Sequence, residues 1–170
     1  NGKLLFLSGS PELSKVGKIK SGRLSGIVNH QIPRWLKFNQ IPSMETNKIP
    51  DWEEKVYRIA QESIKENMTM ISGIPPWVLM YYESLLEQTG AESIGKLFPN
   101  YNLFVYGGVN FNPYRKKFED LVGRDIDSIE TYPSSEGFVA FQDIKGEAGL
   151  LLNVNGGIFF EFVPVDNIHD

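Results

Sequence analysis

Cysteine is absent from the 170 residues. That excludes disulfides, thiol nucleophiles and thiolate metal sites together. Histidine is scarce: His30 and His169 are too few for a His-rich metal centre. Basic charge is not in excess. Lys and Arg number 17 against 21 Asp and Glu, a net charge of −4, which argues against nucleic acid or an anionic membrane surface as partner. No apolar run approaches membrane-spanning length. No signal-peptide pattern is visible in the first residues of the sequence. Asn1-Gly2-Lys3-Leu4-Leu5-Phe6-Leu7 is a strand pattern without a cleavage site, so a cytoplasmic setting is the default expectation. What is there is globular: 41% apolar and 22% charged residues, in a chain long enough to bury a core without staples. The length fits one unit over 1–170 with no internal boundary. Both ends read as strand, so the chain is expected to be a segment of a longer protein.

Local patterning predicts an alternation of strands and helices. Leu4-Leu5-Phe6-Leu7 reads as a buried strand stopped by Ser8-Gly9-Ser10-Pro11. Residues 8–50 show little regular signal, which in a compact domain marks a functional stretch or short hidden elements. Asp51, with Glu54 three residues on, caps a helix over 51–66 that carries Trp52, Val56, Ile59, Ala60 and Ile64 on one face. A strand follows at 68–72. Gly73-Ile74-Pro75-Pro76 opens a second helix, which Gly90 ends. Leu103-Phe104-Val105-Tyr106 reads as a central strand covered on both faces. A short helix at 113–122 and a strand at 128–132 come next. Three strands, 138–141, 150–154 and 158–163, then form a meander turned at Asn155-Gly156-Gly157. The fold class is therefore α/β, a strand–helix layer with parallel strands followed by an antiparallel C-terminal β-meander.

Several local patterns compete for chemistry. Gly90-Ala91-Glu92-Ser93-Ile94-Gly95-Lys96-Leu97 matches a phosphate loop in outline but has Leu where Ser or Thr must ligate magnesium, and it follows a helix. It reads as a helix–helix connection. Thr131-Tyr132-Pro133-Ser134-Ser135-Glu136-Gly137 follows a strand, where open α/β sheets place ligands. Its ring suits stacking on a flat base, its hydroxyls suit phosphate oxygens, and its carboxylate suits Mg²⁺. A polar turn with Tyr132 as core filler fits the composition equally well. Gly107 and Gly108 follow the preceding strand and let a planar ligand approach the backbone, although an ordinary strand-to-helix turn has the same look. If the two strands are neighbours, both turns open on one edge. Ser135-Glu136-Gly137 is also half of a hydrolase nucleophile elbow, with Pro133 in the wrong place and only His30 or His169 as base. His30 reads as the partner of a local hydrogen bond. Lys15, Lys18, Lys20 and Arg23 suit either an anion contact or a solvated loop. Asn67-Met68-Thr69 is a glycosylation sequon, which has meaning only in a secreted protein.

Tyr132-Pro133-Ser134-Ser135-Glu136 resembles the second nucleotide-binding motif, Tyr-x-Ser-Ser-Glu, of the auxin-responsive acyl-acid amido synthetases. These belong to the acyl-adenylate-forming superfamily. Further stretches are similar to bacterial members: Gly2 to Ser10, Gly22-Arg23-Leu24-Ser25-Gly26-Ile27, Ser72-Gly73-Ile74-Pro75-Pro76-Trp77 and Tyr106-Gly107-Gly108-Val109-Asn110-Phe111. The resemblance implies the central part of the large N-terminal domain of an adenylate-forming enzyme. It implies ATP and Mg²⁺, a small-molecule carboxylic acid, and an amine or amino acid acceptor. Tyr132 would stack on adenine, with the Gly107 and Gly108 backbone along its side. Thr131, Ser134 and Ser135 would line the α-phosphate and the acyl carboxylate, and Glu136 would bind Mg²⁺. Trp77, Tyr81 and Phe138 are candidates for the acyl pocket wall, with plain core as the competing reading. The family's Ser/Thr/Gly-rich phosphate loop, its ribose-binding Asp motif and its mobile C-terminal domain with a catalytic Lys find no match here. Asp143, Asp166 and Asp170 do not supply the Asp motif. Those parts are expected to flank this segment in the same protein, and the segment alone is expected to be inactive. The competing classes are a nucleotide-binding or structural module without catalysis, and more remotely a serine hydrolase using Ser135.

Overall fold

A computed structural model describes residues 2–147 and 149–167. In chain order the elements begin with β1 (Lys3–Phe6), a small hairpin β2 (Ser14–Val16) and β3 (Ile19–Ser21), and helices α1 (Leu24–Gln31) and α2 (Arg34–Lys37). Then come β4 (Gln40–Ile41), α3 (Met44–Asn47), α4 (Trp52–Ser63), β5 (Met68–Ser72), α5 (Pro75–Thr89) and α6 (Ile94–Leu97). The chain continues through β6 (Leu103–Gly107), α7 (Asn112–Val122), β7 (Asp127–Pro133), β8 (Phe138–Phe141) and β9 (Leu151–Leu152). The irregular stretch before residue 50 thus hides six short elements, each of eight residues or fewer.

The long helices start and stop where capping chemistry dictates. The Asp51 carboxylate accepts from the Glu54 N–H at 2.8 Å, satisfying one orphan donor at the start of α4. Pro75 and Pro76 occupy the first turn of α5, where a missing N–H costs nothing. The N–H of Gly90 closes that helix on Leu86. Between α5 and α6, the Ser93 side chain caps α6 and Lys96 pairs with Glu92, so 90–97 is a helix–helix connection.

Seven strands form one sheet in the order β4-β1-β5-β6-β7-β8-β9. The run from β4 to β7 is parallel, and β7, β8 and β9 are antiparallel. The steps from β1 to β5, β6 and β7 all move one strand in the same direction. Crossovers of one hand then put α4, α5 and α7 on one face, and α4 packs on α5, α5 on α7. Leu5, Ile71 and Phe104, in register on that face, are fully buried with Ile59, Val78 and Leu85. Three tyrosines lie in the same core. Tyr82 and Tyr101 share a hydroxyl bond of 2.6 Å, and Tyr81 bonds Ser63 at 2.7 Å, so no buried hydroxyl of the three goes without a partner. Burial pushes all three phenols above the usual tyrosine range.

Two expectations need correction. Leu103-Phe104-Val105-Tyr106 is the middle strand of the sheet but is fully covered on one face only. Phe104 and Tyr106 are buried, whereas Leu103 and Val105 are half-buried, because every major helix winds to the same side. The meander is also shorter than its sequence suggests. Leu151 and Leu152 pair with Phe141 and Ala140, but 158–163 forms no strand. Its turn is present, with the Gly156 N–H on the Asn153 carbonyl. Apolar alternation alone does not make a strand without a ladder partner, and Phe159 and Phe162 are exposed.

Candidate functional site

Because β5, β6 and β7 are parallel neighbours, their carboxyl ends meet on one edge. There the Gly73 N–H donates to the Val105 carbonyl at 3.1 Å, and the Thr131 hydroxyl donates to the Tyr106 carbonyl at 3.0 Å. Gly107 lies in register with Thr131, and a Cβ on it would overlap the Thr131 carbonyl oxygen. Only glycine permits that approach of two main chains. Gly108 has φ of +82°, a left-handed conformation that L side chains rarely adopt. The edge is thus floored by backbone.

Beyond Thr131, the ladder between β7 and β8 shifts register at Tyr132 and Pro133. The chain then closes a turn over 134–137. The Ser134 N–H and hydroxyl both donate to the Gly137 carbonyl, at 2.9 and 3.2 Å. This turn leaves Ser135 and Glu136 exposed at its tip, with Tyr132 54% exposed beside it. The backbone N–H of Glu136 and, secondarily, the Ser134 hydroxyl hold the Glu136 carboxyl below the usual carboxylate range. An ionised, accessible carboxylate is the donor a hard cation takes. No cluster of three metal-ligating side chains exists among the described residues. The turn itself presents one exposed carboxylate, that of Glu136.

Of the proposed wall residues, Phe138 is near this turn: it pairs with Pro133 and stacks on Phe141, ring centroids 5.9 Å apart. Trp77 stands elsewhere, against Trp52 with centroids 4.4 Å apart. Tyr81 is not brought to the edge. It is fully buried between α4 and α5 with its hydroxyl on Ser63, which is the plain-core placement. His30 donates Nε2–H to the Pro11 carbonyl at 3.2 Å, the local bond expected of it. His169 lies outside the described residues. In the sequon, Asn67 accepts from the Asn100 amide at 2.8 Å, and the Thr69 hydroxyl donates to the Lys3 carbonyl.

A second concavity of about 1120 Å³ opens at the carboxyl end of β1. The 9–15 loop, Arg23, His30, the 48–50 segment, Lys55 and the two tryptophans line it. Two members of the basic cluster, Lys15 and Arg23, face this space.

The model of the GH3 family N-terminal domain matches residues 12–126. The chain belongs to the GH3 family. GH3 is the family of auxin-responsive acyl-acid amido synthetases, whose members are ligases that use ATP and Mg²⁺ with acid and amino acid substrates. A search of the curated proteins returns no match. The GH3 match takes in the cavity lining from Glu12 onward, Trp77, Gly107 and Gly108, and stops before the 132–136 motif. No helix among the described residues is long and apolar enough to cross a membrane.

Lys55 is the GH3 residue that sequence reading overlooked. It is 2% exposed, and its ammonium donates to the Ser8 carbonyl at 3.0 Å and the Asn47 carbonyl at 2.8 Å. It ties the end of β1 to the end of α3. The signal was available: Lys55 precedes Ile59 by four residues, on the stripe that turns toward the core. Burial, and then the Arg23 guanidinium, lower its pKa from 10.5 to about 8. The unfolded chain therefore holds this proton more tightly between those values, so the stability contribution of Lys55 rises with pH from about 8 to 10.5. Measured by urea unfolding, wild type should gain on a Lys55→Met variant across that window. A gap that stays constant with pH would contradict the burial of the ammonium.

Proposed function

We propose that this chain is the central part, without internal boundary, of the N-terminal domain of an ATP-dependent acyl-acid amido synthetase. In this reading it helps adenylate a carboxylic acid, and the acyl group passes to an amine, commonly of an amino acid. The observation that carries the reading is the shared edge. The Gly107–Gly108 floor, the exposed Tyr132 ring, and the Ser135 and Glu136 tip all sit at carboxyl ends of adjacent parallel strands.

A carboxylate is a poor electrophile. Its oxygen attacks the α-phosphorus of ATP, and the bond to pyrophosphate breaks. The amine then attacks the acyl carbon, the bond to AMP breaks, and the amine proton is lost to solvent or a base. In the first step Tyr132 stacks on adenine, and the main chain at Gly107 and Gly108 lies along the base. Thr131, Ser134 and Ser135 orient the α-phosphate and the incoming carboxylate. Glu136 would hold Mg²⁺, which when bound would supply charge dispersal on the phosphate oxygens. Flanking parts of the same protein are proposed to supply the phosphate loop and the catalytic Lys, since neither motif occurs within these 170 residues.

The test is carboxylate-dependent exchange of pyrophosphate into ATP. The intact protein should catalyse it with some member of a carboxylic acid panel, and the 170-residue piece should show little or none. Normal turnover by the piece would remove the need for the flanking elements. No exchange by the intact protein with any acid would leave the nucleotide-binding module as the better reading.

A further inference from the structure

The cavity at the end of β1 is strongly cationic in a chain whose net charge is −4. Lys15, Arg23, Lys48 and Lys55 line it, against the single carboxylate of Glu12. None of the four cations pairs with a carboxylate among the described residues. The buried Lys55 ammonium gives two of its three donors to carbonyl oxygens. A concave wall with one sign of charge focuses its field on whatever enters. Trp52 and Trp77, their rings 4.4 Å apart and tilted by 42°, supply an aromatic, apolar wall in the same space.

This cavity is remote from the proposed adenylating turn. Its cations belong to segments that follow β1 and to α4, whereas the turn follows β7. The sheet order places three strand spacings between β1 and β7. At about 4.8 Å each, that is on the order of 14 Å. A carboxylate attacking phosphorus must come within about 3–3.5 Å of it. The cations therefore do not hold the reacting carboxylate. Nor do they hold the α-carboxylate of an amino acid acceptor, which stands only two bonds from the attacking amine.

We infer that the cavity takes a second anionic group of the acid substrate, so that the preferred acid is a dianion with an aromatic body. One carboxylate reacts beside the 134–137 turn. The body extends toward Trp77, and the distal anion meets Arg23, Lys48 and the buried Lys55. The inference rests on the amido synthetase reading for the position of the reacting end, but the cavity can be probed by binding alone.

The experiment is calorimetric titration of the intact protein with aromatic dicarboxylates of increasing length. Naphthalene-2,6-dicarboxylate, biphenyl-4,4′-dicarboxylate and p-terphenyl-4,4″-dicarboxylate are each compared with the matching monocarboxylate at fixed ionic strength. At least one dicarboxylate should bind ten or more times tighter than its monoacid. Arg23→Gln combined with Lys48→Gln should erase that preference while leaving ATP binding and the thermal midpoint unchanged. Both side chains are exposed, so the fold does not depend on them. Equal binding of mono- and dicarboxylates throughout the series overturns the proposal, as does a preference that survives the double variant. Displacement of the dicarboxylate by pyrophosphate at lower concentration also overturns it, because the cavity would then be a phosphate site. If the dicarboxylate preference holds and no acid supports pyrophosphate exchange, the cavity assignment stands and the adenylating reading falls.

Discussion

Glu136→Gln in the intact protein should lower Mg²⁺-dependent pyrophosphate exchange about a hundredfold, the scale of losing one preorganised electrostatic contact to the transition state. ATP affinity should change far less. The substitution keeps the shape of the side chain and removes the charge that a hard cation needs. Tyr132→Ala should do the reverse, weakening nucleotide binding first, because the ring contributes stacking area and no charge. Equilibrium binding of ATP and initial exchange rates separate the two effects. If both variants keep wild-type kinetics, the turn is not the nucleotide site. The lowered carboxyl pKa of Glu136 adds a pH signature. Exchange should persist into mild acid and fall as pH drops through that lowered value. Ser134→Ala removes one of the two hydrogen bonds that lower it, and should move the fall toward higher pH. An acid limb that does not move would mean that Glu136 is not the group whose ionisation limits the rate.

Phe104→Ala should cost about 3–5 kcal/mol of folding stability, the range for a large aromatic removed from a rigid core. Phe104 is fully buried on the middle strand of the sheet. Its ring stacks on Phe118 at 4.5 Å and on Tyr106 at 5.3 Å, and meets Phe111 edge-on at 5.4 Å. Those rings come from β6 and α7 and from the turn between them, so the hole has stiff walls and collapses poorly. Urea unfolding monitored by circular dichroism reads the loss, and Phe104→Leu should recover most of it. A loss below about 1 kcal/mol would mean that the strand is not held as described. The exposed Phe159 gives the contrast: Phe159→Ala should leave the midpoint in place.

The framework of the fold was legible where local signals were long and doubly marked. α4 and α5 carry both an apolar stripe and terminal signals, so Asp51 and Gly90 bound them in sequence and structure alike, while α5 starts at Pro75, one residue before the Pro76 expected to open it. β6 is an apolar run ended by Gly107 and β7 a mixed polar strand ended by Pro133, and their adjacency joined the two motifs into one edge. Short elements such as α2 and α3, four residues each, are too brief to show a period. The 158–163 segment was misread because a strand is made by its neighbour as much as by its own pattern. Tyr81 and Tyr82 show another limit. Both are buried within one helix, and nothing in the residue types tells which ring faces α4 and which meets Tyr101. The cationic cavity was legible only as the loop basics Lys15 and Arg23. Its other walls are brought from the 48–55 region and from Trp77 by the winding of the chain.

Gly107 has a consequence for how such a site changes over generations. Two main chains touch there with no room for a side chain, so that part of the floor offers selection nothing to vary. Every substitution at 107 is a defect rather than an alternative. Diversification must therefore run through the periphery, at exposed side chains such as Lys15 and Lys48 around the cavity, which lie off the seven-stranded sheet. A lineage built on this sheet edge inherits an immutable seat and a free choice of upholstery.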